Sequence, residues 1–276
     1  MSVEDLLLGR GTFVADVAHP GALHAVFVRA PLAHARIRGI DTADALGAPG
    51  VAAVLTAANL GPVAPLVSPV SVGGAGNRLA AIGRPILCAD TVRHVGDPVA
   101  VVLAASEAEA LDAAELVAVD YEMLPAVASV TAGPASADRS GDAEIDPLAP
   151  GNVALAFASG PPGRTDAAFA AAHRIARIRL DQSRVAPTPL ETRGAVVSHD
   201  PATDRLTLEL PTQGAAAVAA AIAASLGRDP ASVRVITRDV GGSFGMKIYP
   251  YPEHVALAVA AIATGRTVRW IASRAE

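Results

Sequence analysis

The sequence DVGGSFGMK, residues 239–247, is the most informative stretch of this chain. It lies between a predicted β-branched strand, 233–237, and a predicted helix, 252–263. Glycines allow positive φ angles and close approach of a ligand, and successive N–H groups in such a turn form an anion-binding concavity. The spacing fits neither a P-loop nor the Rossmann fingerprint. The glycines alone are equally consistent with a tight turn that binds nothing, although Phe244 would then expose an apolar ring.

Gln213 is the second candidate for a binding role. It follows a predicted strand, 206–210, and opens a predicted alanine-rich helix, 213–226. An amide at such a junction can donate to an oxo or phosphate oxygen that is aimed at the helix N-terminus. The simpler alternative is a capping or exposed polar residue.

Strand and helix signals extend over most of the chain, which predicts a mixed fold. A helix at 106–116 is predicted to connect strands 99–104 and 117–121 as a parallel pair, although this crossover is short. Low pattern and many Pro, Gly and Ser residues predict a linker at 131–165. The remaining predicted strands are 23–28, 35–40, 51–55, 174–180, 194–198 and 268–272, and a short helix is predicted at 166–172.

Composition excludes several classes of function. The 276 residues carry a formal net charge of −5 with no run of Lys or Arg, so nothing favours nucleic-acid binding. No apolar stretch approaches the roughly 20 residues that a bilayer span needs, and no signal peptide is evident, so we expect a cytoplasmic protein. Cys88 is the single cysteine and the seven histidines are scattered, so we expect neither an iron–sulfur cluster nor a metal held by side chains.

Several segments occur in the order of a known family. The chain contains Gly11-Thr12-Phe13-Val14-Ala15-Asp16, Val28-Arg29-Ala30-Pro31, Val95-Gly96-Asp97-Pro98, Val119-Asp120-Tyr121-Glu122, Glu191-Thr192-Arg193-Gly194, Pro211-Thr212-Gln213 and the 239–247 loop. Together they resemble the xanthine dehydrogenase, aldehyde oxidase and carbon monoxide dehydrogenase family of molybdenum hydroxylases. Thr192 stands where that family usually has Pro. The resemblance covers nearly the whole chain and is weakest in the linker.

The resemblance implies an α+β fold with two domains. A hammerhead-like domain would occupy residues 1–130, followed by the extended linker at 131–165. Residues 166–276 would form the N-terminal part of a mixed α/β domain that binds the molybdenum cofactor.

The same resemblance implies the cofactor and the residues that contact it. The cofactor would be molybdopterin with molybdenum, expected as the cytosine dinucleotide, and no side chain would ligate the metal. Gln213 would contact an oxygen ligand of molybdenum, which makes it the catalytic candidate. Phe244 and Gly245 would lie beside the metal, supported by Gly241 and Gly242. Phe244 and Ile248 would line the substrate pocket, and purine-oxidising relatives tend to carry an acidic residue at the position of Ile248.

The resemblance also implies a larger assembly. Relatives continue for several hundred residues and hold the general base there, so we assign that role to no residue of this chain, including Glu191 and Glu253. We expect a complementary large-subunit fragment, an iron–sulfur subunit with [2Fe–2S] clusters, a flavin subunit with FAD, and a small-molecule substrate. The reaction would be hydroxylation of an aldehyde or N-heterocycle with oxygen from water. The alternative is a non-catalytic truncated remnant, or a binding module of the same family.

Overall fold

The computed structural model describes residues 3–68, 70–74, 76–127, 144–161, 163–178, 180, 182–183 and 185–276. The described residues fall into two compact units. The first draws on Met1–Val67, Gly83–Ala137 and Pro187–Glu276, and the second on Ser68–Ile82 and Asp138–Ala186. Much of the predicted linker, 131–143, lies outside the described residues.

A seven-stranded sheet forms the centre of the first unit. Its strands are β1 Leu23–Arg29, β3 Val51–Thr56, β8 Pro98–Ala104, β11 Gly194–Asp200, β12 Arg205–Glu209, β13 Val233–Ile236 and β14 Val268–Ile271. They lie in the order β13-β12-β11-β14-β1-β8-β3. Neighbouring strands are antiparallel except for the parallel pairs β1–β14 and β12–β13. The pair β1–β14 joins strands from the two ends of the sequence, with Leu23 beside Val268.

Helices cover both faces of this sheet, as the two sides of strand β8 show. Every residue of β8 is buried. Val101 and Leu103 belong to the largest apolar cluster, which also contains buried residues of α5 and α6. Ala100 and Val102 face a second cluster formed with α2 and α3. The helices of this unit are α1 Val3–Leu7, α2 Ala43–Gly47, α3 Glu107–Glu115, α5 Ala215–Ser225 and α6 Pro252–Thr264.

A smaller three-stranded sheet of the first unit corrects one predicted pairing. Its order is β7-β2-β9, and β9 pairs antiparallel with β2. The predicted parallel pair of 99–104 with 117–121 is therefore wrong, because β8 lies between β1 and β3 instead. Residues 105–117, which contain α3, thus lead from the large sheet to the small one. The remaining strands of the unit are β2 Ala35–Asp41, β4 Leu66–Val67, β6 Gly83–Arg84, β7 Thr91–Val92 and β9 Ala118–Met123.

The second unit contains little regular structure. Strand β5, Arg78–Leu79, pairs antiparallel with β10, Leu155–Ala156, and helix α4 spans Arg164–Ala171, close to the helix predicted at 166–172. The strand predicted at 174–180 is wrong, because its described residues form no strand and are exposed. An alternating pattern becomes a strand only where a neighbouring strand accepts its hydrogen bonds.

Residues that favour helix starts and stops predicted several helix ends correctly. Helix α6 begins at Pro252, a favoured first helical residue, and ends before Gly265, whose φ is +63°. Helix α3 begins after Ser106, whose side chain accepts a hydrogen bond from the Glu109 N–H. The alanine-rich helix α5 starts at Ala215 rather than Gln213, because Gly214 occupies its N-cap position.

Candidate functional site

The glycine loop connects β13 to α6, and three of its residues have positive φ angles. Gly242, Phe244 and Gly245 have φ angles of +97°, +52° and +87°. A Cβ atom at Gly241 would lie 2.5 Å from the Cβ atom of Glu191, so the loop packs against the 191 segment too closely for a side chain. Positive φ is strained for an aromatic residue by roughly 1–3 kcal/mol, and such strain concentrates at functional sites. The Phe244 ring nevertheless lies 76% exposed.

A buried ion pair holds the loop in this shape. The Lys247 Nζ atom lies 2.9 Å from both the Oε2 atom and the main-chain oxygen of Glu191. The side chains are only 2% and 7% exposed, respectively. The same Oε2 atom accepts the Gly241 N–H at 2.9 Å, and the Glu191 N–H donates back to the Gly241 carbonyl at 3.1 Å. Glu191 thus holds the loop through Oε2 and its main chain, while its Oε1 atom accepts the Val14 N–H at 3.4 Å.

Gln213 lies against this loop, so the structure brings the two sequence candidates together. Its main-chain N–H donates to the Lys247 carbonyl at 3.0 Å, and that carbonyl also accepts the Thr212 hydroxyl at 2.8 Å. The Gln213 side-chain oxygen accepts a hydrogen bond from the Ser243 hydroxyl at 2.5 Å. Gln213 itself is exposed, and Ile248, which directly follows the glycine loop, is 38% exposed.

Several hydrogen-bond donors at this position lack acceptors within the described part of the chain. Among them are the Gln213 Nε2 group and the main-chain N–H groups of Phe244 and Gly245. Donors of this kind suit an anionic or oxo oxygen. The arrangement can therefore bind an oxygen-rich, negatively charged group beside an exposed aromatic ring.

Glu253, the other carboxylate noted in the sequence, is engaged elsewhere. Its side chain is 3% exposed and lies 2.9 Å from Arg29 and 3.3 Å from Arg193. Burial opposes ionisation, but the two guanidinium groups outweigh it and lower the pKa of Glu253. Next to it, full burial lowers the pKa of His254 to about 4, so the ring is neutral at pH 7. These groups join α6 to the sheet.

Two further observations concern metals and membranes. In the ranges that the structure describes, no three His, Cys, Asp or Glu residues are grouped so that they could hold a metal ion. Over those same ranges, no helix has the length and apolar character for crossing a bilayer.

Sequence reasoning missed the hydrogen bonds and the ion pair by which three residues support this site. These residues are Thr212, Ser243 and Lys247. All three stand inside or beside the quoted motifs, yet their contacts span 30 to 56 residues. The one available signal was a small hydroxyl residue between the loop glycines. Spacing alone could not show that it would meet Gln213.

Comparison with known proteins decides the family. Residues 8–125 match the aldehyde oxidase and xanthine dehydrogenase a/b hammerhead domain, and residues 145–276 match the molybdopterin cofactor-binding domain. The chain belongs to the molybdenum hydroxylase family. The α+β fold and the order of the two domain types are confirmed by these matches.

Individual molybdenum hydroxylases match nearly all of the chain. The large subunit of nicotine 6-hydroxylase from Paenarthrobacter nicotinovorans is 35% identical over 98% of this chain and 32% of its own length. The carbon monoxide dehydrogenase large chain from Hydrogenophaga pseudoflava is 35% identical, over 97% of this chain and 33% of its own. The crystal structure of quinoline 2-oxidoreductase from Pseudomonas putida 86 superposes with a TM-score of 0.84 at 34% identity, covering 98% of this chain and 33% of that one. The chain therefore spans about a third of the relatives it matches.

The hydrogen-bond donors present are chemically compatible with a molybdopterin group. The unpaired donors of Gln213, Phe244 and Gly245 match the oxygen-rich chemistry of such a cofactor. The loop that carries the Phe244 and Gly245 N–H groups is anchored by the ion pair of Glu191 and Lys247. Anchoring of this kind positions these two donors before a ligand arrives.

Proposed function

We propose that this chain is the N-terminal part of a molybdenum hydroxylase large subunit and forms one wall of its cofactor site. Gln213, Gly241, Gly242, Phe244 and Gly245 would bind molybdopterin in its cytosine dinucleotide form. The observation that carries this proposal concerns the Gln213 amide. Its oxygen accepts a hydrogen bond from the Ser243 hydroxyl, while its Nε2 group has no acceptor among the described residues. Such an amide donates outward, toward an oxygen atom of the bound group.

The cofactor, when bound, would supply the two-electron chemistry that hydroxylates a carbon centre with oxygen from water. The residues of this chain would bind and orient it. Gln213 would stabilise charge on an oxygen atom, the loop N–H groups would hold the group from the side, and Phe244 and Ile248 would shape an apolar approach for the substrate. The general base would come from the rest of the large subunit, and partner subunits would carry the [2Fe–2S] clusters and FAD. We place the complex in the cytoplasm.

Metal content tests this proposal directly. We expect the chain purified alone to hold little molybdenum and to lack turnover, because it spans a third of its relatives. Together with the rest of the large subunit, as a continuation of the chain or a complementary fragment, and with iron–sulfur and flavin subunits, it should hold nearly one molybdenum per large subunit. Metal analysis, nucleotide release and dye-linked oxidation give the readouts.

Two outcomes of that experiment would contradict the proposal. A complete complex without molybdenum would indicate the alternative, a non-catalytic remnant or binding module. Stoichiometric molybdenum with turnover in the 276-residue chain alone would show that the site is completed within it.

Substrate preference provides a separate prediction, centred on Ile248. This side chain can offer only apolar contact where purine-oxidising relatives tend to have a carboxylate, so purines should be poor substrates. We expect kcat/KM for xanthine to be at least about 10-fold below that for an aldehyde or N-heterocycle, since one lost polar contact easily produces such a ratio. Relatives named for nicotine and quinoline support the N-heterocycle class. The measurement is initial rates on a substrate panel with the wild-type complex and Ile248→Val as a control. Efficient xanthine oxidation by either would disprove the prediction.

A further inference from the structure

Ser243 occupies a buried position from which it touches both the loop and Gln213. The residue is 7% exposed. Its Oγ atom accepts the Lys247 main-chain N–H at 2.9 Å and donates to the Gln213 Oε1 atom at 2.5 Å. One hydroxyl thus links the main chain at the end of the glycine loop to the Gln213 side chain.

The hydrogen-bond capacity of this hydroxyl determines which way the Gln213 amide faces. A serine hydroxyl has one proton to donate and two lone pairs to accept with. One lone pair of Ser243 is used by the Lys247 N–H, and within the described residues the proton has no acceptor other than Gln213. If the amide were turned by 180°, the Nε2 group would face Oγ and the buried hydroxyl proton would be left unpaired. An unpaired buried donor disfavours that orientation by roughly tenfold or more.

We propose that Ser243 is a positioning residue, which selects the orientation of Gln213 in which both Nε2 protons face the cofactor site. This inference rests on the proposed function, because it concerns how Gln213 meets the cofactor. Without the hydroxyl, the amide can rotate and present its oxygen to the oxygen of the bound group, where two acceptors repel. The loss would affect turnover more than binding, because the loop remains anchored by Glu191 and Lys247.

Thr212 is a matched control for the loosening of the loop. It is also 7% exposed, and its hydroxyl donates to the carbonyl of the same Lys247. Its Oγ1 atom also accepts the Gly214 N–H at 3.1 Å, and it makes no hydrogen bond to the Gln213 side chain. Thr212→Val therefore removes both main-chain contacts of an equally buried hydroxyl, but no contact that sets the orientation of the amide.

The experiment compares Ser243→Ala, Ser243→Thr, Thr212→Val and Gln213→Ala in the assembled complex. The readouts are molybdenum content, the Mo(V) electron paramagnetic resonance spectrum, and kcat and KM separately. We expect Ser243→Ala to retain molybdenum, to shift the Mo(V) spectrum and to lower kcat about 10-fold with little change in KM. Ser243→Thr, which keeps the hydroxyl, should restore the spectrum and most of kcat, and Thr212→Val should leave the spectrum unchanged.

An unchanged spectrum and kcat in Ser243→Ala would overturn the positioning role. If that variant loses its molybdenum, Ser243→Gly replaces it, since it also removes the donor and adds no bulk: a shifted spectrum supports the role and an unchanged one overturns it. Gln213→Ala distinguishes failure of the Ser243 positioning role from failure of the proposed Gln213 contact. If Gln213→Ala shifts the spectrum and the Ser243 variants do not, only the positioning role fails. If Gln213→Ala retains molybdenum without a shift, the proposed Gln213 contact itself is wrong.

Discussion

Replacing Lys247 with methionine is expected to lower the free energy of unfolding by about 3–5 kcal/mol, because it leaves the Glu191 carboxylate buried without its cation. The two side chains are 2% and 7% exposed and meet at 2.9 Å. Methionine fills similar space, so the loss would come from charge rather than from a cavity. Urea unfolding of the 276-residue chain, followed by circular dichroism, gives the value.

Arg38→Met is the matched control for that variant. It breaks an ion pair with Glu122 at 2.6 Å, but the side chains are 53% and 41% exposed. Exposed pairs typically contribute only about 0–1 kcal/mol, so stability should hardly change. The double variant Lys247→Met with Glu191→Leu should recover part of the loss, because a buried pair replaced by apolar residues is often tolerated. A loss below about 1 kcal/mol in Lys247→Met would show that the pair does not hold the loop.

Replacing Gln213 with alanine is expected to lower kcat of the assembled complex by about 10²-fold, the usual effect of removing one donor that stabilises developing charge. The fold should be unaffected, because the side chain is exposed and its main-chain hydrogen bond to Lys247 is retained. Gln213→Glu sharpens the test, since it can still accept from Ser243 but offers no proton outward. Turnover and molybdenum content are measured together on each variant.

Gln182→Ala serves as the control for this prediction. Gln182 is an exposed glutamine of the second unit, and its loss should leave turnover unchanged. Wild-type turnover by Gln213→Ala with a normal molybdenum content would mean that the amide does not act on the bound group.

Local signals in the sequence predicted the helix ends well where proline or glycine stands at the boundary. Pro252 and Gly265 mark the ends of α6 because one favours the first helical turn and the other tolerates positive φ. The same kind of local reasoning failed for residues 174–180, where alternation suggested a strand. It failed again for the partner of β8, because a strand's neighbours depend on the rest of the sheet.

In the candidate site, too, local motifs could be identified from the sequence, whereas contacts between distant residues could not. The glycine loop and Gln213 were identifiable from motifs because loop chemistry needs particular residues at particular spacing. Their supporting contacts were not, since Glu191 could be noted as a carboxylate but its ion pair with Lys247 could not be foreseen. The cofactor contacts assigned to Gln213, Gly241, Gly242, Phe244 and Gly245 and the pocket role of Ile248 are still predictions.

The sequence by itself determined the family, the α+β character of the chain, the glycine loop and the position of Gln213 as a candidate. These features depend on residue type and on spacings of a few residues, which propensity and turn chemistry govern. Tertiary structure alone decided that β1 pairs with β14, that Lys247 meets Glu191, and that the Ser243 hydroxyl meets the Gln213 side chain. Those contacts join residues 30 to 245 positions apart, where only the packing of the whole unit, and no local preference, selects the partner.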